Sequence, residues 1–295
     1  MTPKNNSIKK IVSFTAVILK GIGQIMLQEN QITGLLILIG IFYGSFTMGL
    51  ATVLATICGT ATAYILKYEK SEIDKGLYGF SAALVGVAIL LFFKPVILSW
   101  LLIILGSSLA TIIQHFFIKR KIPVFTLPFV LVTWAILLFV RTYFTEIIHV
   151  SPIINIVSID YLTMGFRGFG QVIFQDNLVS GFLFFIAVFI SSPISALYGF
   201  AGAILSAIIA FNLSVPIHDI SMGLFSYNAV LCAIVFAGNQ IKDGFWVLLS
   251  VFLSLFLSIL MVKFNFTQLT FPFVLASCVT LLFKKLFLIQ KQIGH

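Results

Sequence analysis

Apolar runs separated by short polar connections fill this chain. In the first half they lie at about residues 47–68, 77–93, 96–118 and 124–142, and residues 244–262 form a similar run in the second half. Each approaches the ~20 apolar residues that a bilayer-spanning helix needs. The runs are continuous, without the strict alternation of a membrane β-barrel. The stretch over 11–46 differs. It is long for one span, yet polar in its middle at Gln24, Gln28, Glu29 and Asn30. The pattern predicts an all-α polytopic membrane protein with one discontinuous segment.

That polar interruption is printed twice. "KGIGQIMLQENQITG" at 20–34 returns as "RGFGQVIFQDNLVSG" at 167–181, 147 positions later. At the same offset "GLYGFSAALVG" (76–86) meets "GLFSYNAVLCA" (223–233), and after a slip of three "FTLPFVL" (125–131) meets "LTFPFVL" (269–275). The chain therefore reads as two homologous membrane repeats, 1–145 and 146–295, forming one pore domain. Internal symmetry of this kind points to transporter and channel folds.

Composition agrees with a membrane protein. Of the 295 residues 60% are hydrophobic and 9% charged, with mean hydropathy +1.13. The net charge of +9 does not point to nucleic acid, because the basic residues sit at the short connections, as topology signals do. They also decide the crossing number. Take the N-terminus as cytoplasmic and 11–46 as one net crossing, so that each repeat crosses five times. Then 14 of the 18 Lys and Arg fall inside, and Lys94, Arg141, Arg167 and Lys263 outside. Two crossings there lower the tally to 11 against 7. The odd number wins. It predicts inverted-topology repeats, each of about five transmembrane helices plus a re-entrant or broken half-helix, with both termini cytoplasmic. Non-helical backbone at mid-membrane depth is tolerated only where it is buried in protein or lines a watery path. The polar phrase should thus face a pore or binding site, at the repeat interface.

Candidate chemistry is sparse. Gln24 and Gln171 need partners, since an unpaired buried polar group costs about 1–3 kcal/mol; a helix–helix hydrogen bond or a solute would each serve. Phe80 with Leu84, and Tyr227 with Leu231, share a helix face at i, i+4, as packing pairs also do. Thr126 and Thr270 precede Pro128 and Pro272 by two residues, where a hydroxyl caps a helix or faces a cavity. Cys58, Cys232 and Cys278 fit no metal motif. His115, His149, His218 and His295 form no H-E-x-x-H and no intramembrane pair. The longest polar connection, about 142–165, is too short for a soluble domain. No nucleophile–base pair or nucleotide-binding motif is visible, so no enzyme and no cofactor are expected. No acidic residue stands alone in a clear span, which leaves a coupled pump little to work with. Trp100, Trp134 and Trp246 read as interfacial anchors. A path for a small, flat, uncharged solute fits what remains: oxygens to replace its water, flat apolar walls for its faces, and a desolvation cost of several kcal/mol against ions.

Across nearly the whole chain, the phrases "GQIMLQEN" and "GQVIFQDN", "GLYGFSAALVG" and "GLFSYNAVLCA", and "IPVFTLPF" and "LTFPF" resemble the urea transporter family. The resemblance implies a homotrimer in the plasma membrane, with one pore per protomer passing urea passively. By motif position it implies Gln24 and Gln171 at two outer urea sites. Leu27 with Phe80, and Phe174 with Tyr227, would be the slot walls, Leu84, Leu231 and Val172 the lining further in, and Thr126 and Thr270 the centre. Two features depart from the family pattern. Glu29-Asn30-Gln31 and Asp176-Asn177-Leu178 lack the proline of the usual Asn-Asn-Pro. Leu27 stands where the family tends to have an aromatic ring, which implies a looser slot there. The alternatives are a channel for a short amide, ammonia or water, or a membrane scaffold without transport.

Overall fold

A computed structural model describes residues 3–149, 160–213 and 215–293. His295, positions 150–159 of the polar connection, and the side chains of Lys4, Lys9, Lys10 and Lys291 lie outside the described residues. Among the described residues the regular elements are all helices, with one isolated antiparallel bridge, Phe93 with Ile148. Five of its helices are long and apolar enough to cross a membrane, or six if one bent pair is a single span. This is an all-α polytopic membrane protein.

The chain divides into two compact units, Met1–Ile122 with Pro128–Pro152, and Pro123–Leu127 with Ile153–His295. The first runs α1 (Pro3–Gly23), a 3-10 turn (Gln24–Met26), α2 (Gln31–Gly44), α3 (Phe46–Ile65), α4 (Lys70–Asp74), α5 (Phe80–Phe92) and α6 (Ile97–Lys119). Next comes α7 (Leu127–Tyr143), whose first residue counts with the second unit. The second unit continues α8 (Tyr161–Gln171), α9 (Leu178–Ser191), α10 (Pro193–Asn212), α11 (Ile217–Ser221), α12 (Tyr227–Phe236), α13 (Ile241–Lys263) and α14 (Phe271–Ile293). The element order of the first half thus recurs in the second.

Local devices recur too. Ser45 caps α3 by accepting from Met48 N, and Ser192 caps α10 by accepting from Ser195 N. Left-handed backbone falls at matched positions: Leu27 and Phe174 (φ 60 and 57), Gly76 and Gly223 (77 and 80), Lys121 and Asn265 (56 and 57), Phe125 and Leu269 (47 and 43). These pairs keep the 147-residue offset early and 144 after the slip. They also explain where helices begin. The runs expected at 77–93 and 124–142 start as helix only at Phe80 and Leu127, because left-handed Gly76 and Phe125 turn the backbone just before.

Packing follows membrane rules. Helix α3 turns Gly49, Ala51, Thr52, Ala55, Thr56 and Gly59 inward, and α10 buries Ala196, Gly199, Gly202, Ala203 and Ser206. Small residues let helix backbones approach closely where lipid removes most of the hydrophobic drive. Large apolar side chains such as Ile97, Leu105 and Leu138 point outward. On α3 hydroxyls bond back to their own helix, as Thr56 Oγ1 does to Thr52 O at 2.6 Å, while Ser206 on α10 donates across to Phe225 O at 2.6 Å.

Candidate functional site: two helix breaks and a threonine pair

The doubled polar phrase folds into a broken helix each time. After α1, Leu27 N donates to Gln24 O at 2.9 Å and Gln28 N to Gly23 O at 3.2 Å. After α8, Phe174 N donates to Gln171 O at 3.2 Å and Gln175 N to Gly170 O at 3.0 Å. Both patterns are Schellman-type C-caps, which satisfy the last carbonyls of a helix through one left-handed residue. That residue is normally glycine. Here it is Leu27 or Phe174, at a cost of about 1–2 kcal/mol each. The amides of Gln28 and Gln175 then fold back onto Met26 O and Ile173 O, at 3.0 and 3.2 Å.

The next helix restarts on an asparagine. Asn30 Oδ1 accepts from Ile32 N and Thr33 N at 2.8 and 3.2 Å. Asn177 Oδ1 accepts from Ser180 N at 2.8 Å. An Asn N-cap is worth about 1 kcal/mol over alanine. The break therefore forms without the missing proline, from a left-handed C-cap and an Asn N-cap. The first pair is bent by 76°. Gly34 and Gly181 close each V, for a Cβ there would stand 1.8 Å from Leu19 O and 2.1 Å from Phe166 O.

The glutamines before the two breaks meet different surroundings. Gln24, half-buried, donates from Nε2 to Lys75 O at 3.0 Å. Gln171 is buried, and among the described residues its side-chain amide meets no partner. Beside it Arg167 Nε and Ser221 Oγ are also buried and unbonded, although Arg167 reaches Ser221 O at 3.3 Å. Unpaired groups of this kind call for water or a polar solute. The acids flanking the breaks differ as well: Glu29 pairs with Lys20 at 3.2 Å, and Asp176 is exposed.

Among the residues singled out from the sequence, the first unit holds Gln24 and Leu27 at its break and Phe80 and Leu84 on α5, which packs against that break. Phe80 and Leu84 are buried, and Leu27 is half-buried. The second unit holds Gln171, Val172 and Phe174 at its break, and Tyr227 and Leu231 on α12. All but half-buried Phe174 are buried.

The same unit joins Thr126 and Thr270. Their hydroxyls lie 2.7 Å apart, each at the entry to a helix, α7 and α14. The sequence allows each hydroxyl to cap a helix or face a cavity; the structure turns each toward the other. One donates and one accepts, so an acceptor lone pair stays open on the donor. Tyr227 is anchored there too, its hydroxyl donating to Leu269 O, the carbonyl before Thr270.

Further polar residues that do not stand out in the sequence lie on the helices behind these. Asn228 Oδ1 accepts from Phe273 N at 3.2 Å, and its Nδ2 reaches Leu269 O at 3.4 Å and Ser258 Oγ at 3.5 Å. In the first unit Ser81 Oγ donates to Gln114 Oε1 at 3.3 Å. Ser81 and Asn228 are repeat partners, and so are Gln114 and Ser258. The amide has moved from one helix to the other while the polar pair survives. Laying the two repeats side by side at helix resolution would have exposed this exchange.

A family profile described as "Urea transporter" matches residues 15–285. Urea transporter 1 of Rattus norvegicus is 31% identical over 248 residues, covering 77% of this chain and 64% of the rat protein. The Mus musculus protein of that name is 30% identical over 252 residues with the same coverage, so the chain spans 64% of the length of these two relatives. The Capra hircus protein is 28% identical over 300 residues, covering 92% of this chain and 77% of its own length.

Proposed function

The chain belongs to the urea transporter family, and from that premise we propose that it is a channel-type transporter passing urea down its gradient. The observation that carries the reading is the pair of polar helix breaks, each followed in the chain by a buried ring-bearing helix. Urea is flat, with one carbonyl acceptor and four N–H donors. In this reading Gln24 and Gln171 meet it at the ends of a slot. Phe80, Tyr227, Phe174 and Leu27 are its walls, Leu84, Leu231 and Val172 continue the lining, and Thr126 and Thr270 supply central oxygens. Gln171 is the glutamine better prepared to bind, because its amide is unclaimed. Ions pass poorly, since neutral oxygens do not repay their loss of water.

The finer assignments belong to the same proposal. Residues 1–145 and 146–295 form the two membrane repeats, inverted according to the Lys and Arg tally. The protein works in the plasma membrane with cytoplasmic termini, as a homotrimer with one path per protomer, and carries out no catalysis.

Proteoliposomes test it. Urea efflux should far exceed that of empty liposomes, without a sodium or proton gradient, and efflux equal to the empty control overturns the reading. Thr126→Val removes one central hydroxyl and should slow flux about tenfold, the equivalent of about 1.4 kcal/mol. Unchanged flux would return Thr126 to a structural role. A panel of urea, methylurea, formamide and ammonia separates urea from its nearest competitors.

A further inference from the structure

The starts of α13 and the last turns of α14 enclose a cavity of about 660 Å³. Its walls are of two kinds. Lys242 and Lys284 bring positive charge, and Trp246, Phe287 and Leu288 bring apolar surface. Asp243 also lines it, but its carboxylate is already committed. One oxygen accepts from Gln240 N at 3.1 Å in a capping box, and the other faces Lys284 Nζ at 4.0 Å. Lys284 stands 6.0 Å from the Phe236 ring centroid. Lys242 is exposed and makes no ion pair with a described residue. The cavity therefore keeps an excess of positive charge.

The fold does not need this cluster. Helices α6 and α13 match residue for residue, 23 each, at an offset of 144. At that offset the positions of Lys242, Asp243, Trp246 and Lys284 hold Leu98, Ser99, Leu102 and Val140. At these four positions the first repeat carries neither charge nor indole.

We propose that this cavity binds an anionic phospholipid, its phosphate held by Lys242 and Lys284 and its acyl chains lying along Phe287 and Leu288. Both helices are long and apolar enough to span a membrane. Lys242 is the second residue of α13, and Lys284, the fourteenth of 23 in α14, faces Asp243 at that same end of α13. That is where a headgroup meets the chain. Phe287 and Leu288 are more than half exposed, at 59% and 51%, which suits acyl contact and gives a free anion nothing. Basic pockets beside spanning helices capture anionic headgroups through such charges. The indole of Trp246 is amphipathic and suits the same boundary.

The full chain in nonionic detergent, titrated with phosphatidylglycerol or phosphatidylcholine and followed by thermal unfolding, tests this. Phosphatidylglycerol should raise the midpoint in a saturable way, and phosphatidylcholine should not. Lys242→Gln should weaken the apparent affinity about fivefold, and the double variant with Lys284→Gln further, at ~1 kcal/mol per lysine. Lys242 makes no ion pair with a described residue, so its variant keeps the test sharp even if Lys284→Gln folds poorly. Equal stabilisation by phosphatidylcholine, by inorganic phosphate alone, or of the Lys242→Gln protein would overturn the proposal. As a second readout, Trp246 fluorescence in a Trp100→Phe, Trp134→Phe background should be quenched more by brominated phosphatidylglycerol than by brominated phosphatidylcholine. Equal quenching would also overturn it.

Discussion

The two repeats hold equivalent core clusters made of different chemistry. In the first unit Tyr78 lies ahead of α5 among Val17, Ala63 and Ile73. Its phenol bonds both the Glu72 carboxylate and His115 Nδ1, and Tyr68 stacks on the His115 ring at 3.5 Å and 6°. A phenol has one proton; given to Glu72, it leaves the oxygen to accept from His115. In the second unit the corresponding positions are Phe225, Asp219, Ile259 and Val215. Phe225 packs with Met164, Ala210, Ile220 and Leu255, and Ile259 and Val215 lie against that cluster. Asp219 turns instead to His218, at 3.2 Å. One backbone plan thus accepts a hydrogen-bonded network in one copy and an apolar cluster in the other. The backbone turns recur because the chain path requires them. The side chains inside need only fill the volume and satisfy one another.

The largest expected effect tests what the copies share. Gly34→Ala and Gly181→Ala each push a Cβ into a backbone carbonyl. A backbone cannot yield as a flexible side chain can, so both variants should lose most folded, monodisperse protein in detergent chromatography. A normal yield from either would show that its V can open.

Next come exchanges of the differing cores. Tyr78→Phe strands Glu72 and His115, and Phe225→Tyr inserts a hydroxyl among Met164, Ile220 and Leu255. Each should cost about 1–3 kcal/mol, read as a fall in thermal midpoint. If both are neutral, the two clusters are interchangeable and the contrast has no energetic content.

A third test concerns the exchanged amide. Asn228→Ser leaves Phe273 N without its acceptor and should destabilise by about 1–2 kcal/mol. Adding Ser258→Gln rebuilds the arrangement of the first unit and should recover part of that loss. A double variant as damaged as the sum of its single changes would show that the two pairs are not equivalent.

The smallest effect falls at the ends of the breaks. Glu29 pairs with Lys20 at an exposed site, with 44% of the carboxylate side chain accessible. Glu29→Gln should change stability by no more than about 0.5 kcal/mol and fade with salt. A larger loss would make the pair a structural difference between the breaks rather than a surface one.

Much of the candidate site is legible in the chain. Gln24 and Gln171 stood out because amides are rare in apolar runs, and the repeat placed Phe80 against Tyr227 and Thr126 against Thr270. Asn228 and Gln114 do not stand out in the sequence because each is the only side-chain amide in its helix, and its partner lies 30 or more residues away. In the sequence Lys242 and Lys284 read as topology signals. Their meeting around one cavity depends on how α13 packs on α14.

The sequence by itself determined the membrane class, the duplication and the position of both breaks. These rest on local hydropathy and on identity at a fixed offset, which need no folding to be seen. Tertiary structure decided how the breaks close without proline, that the Thr126 and Thr270 hydroxyls meet across 144 residues, and which glutamine amide is left unclaimed. Those outcomes depend on left-handed dihedrals and on contacts between distant helices. A run of apolar residues specifies that a helix forms, but its neighbours fix where that helix turns its polar atoms.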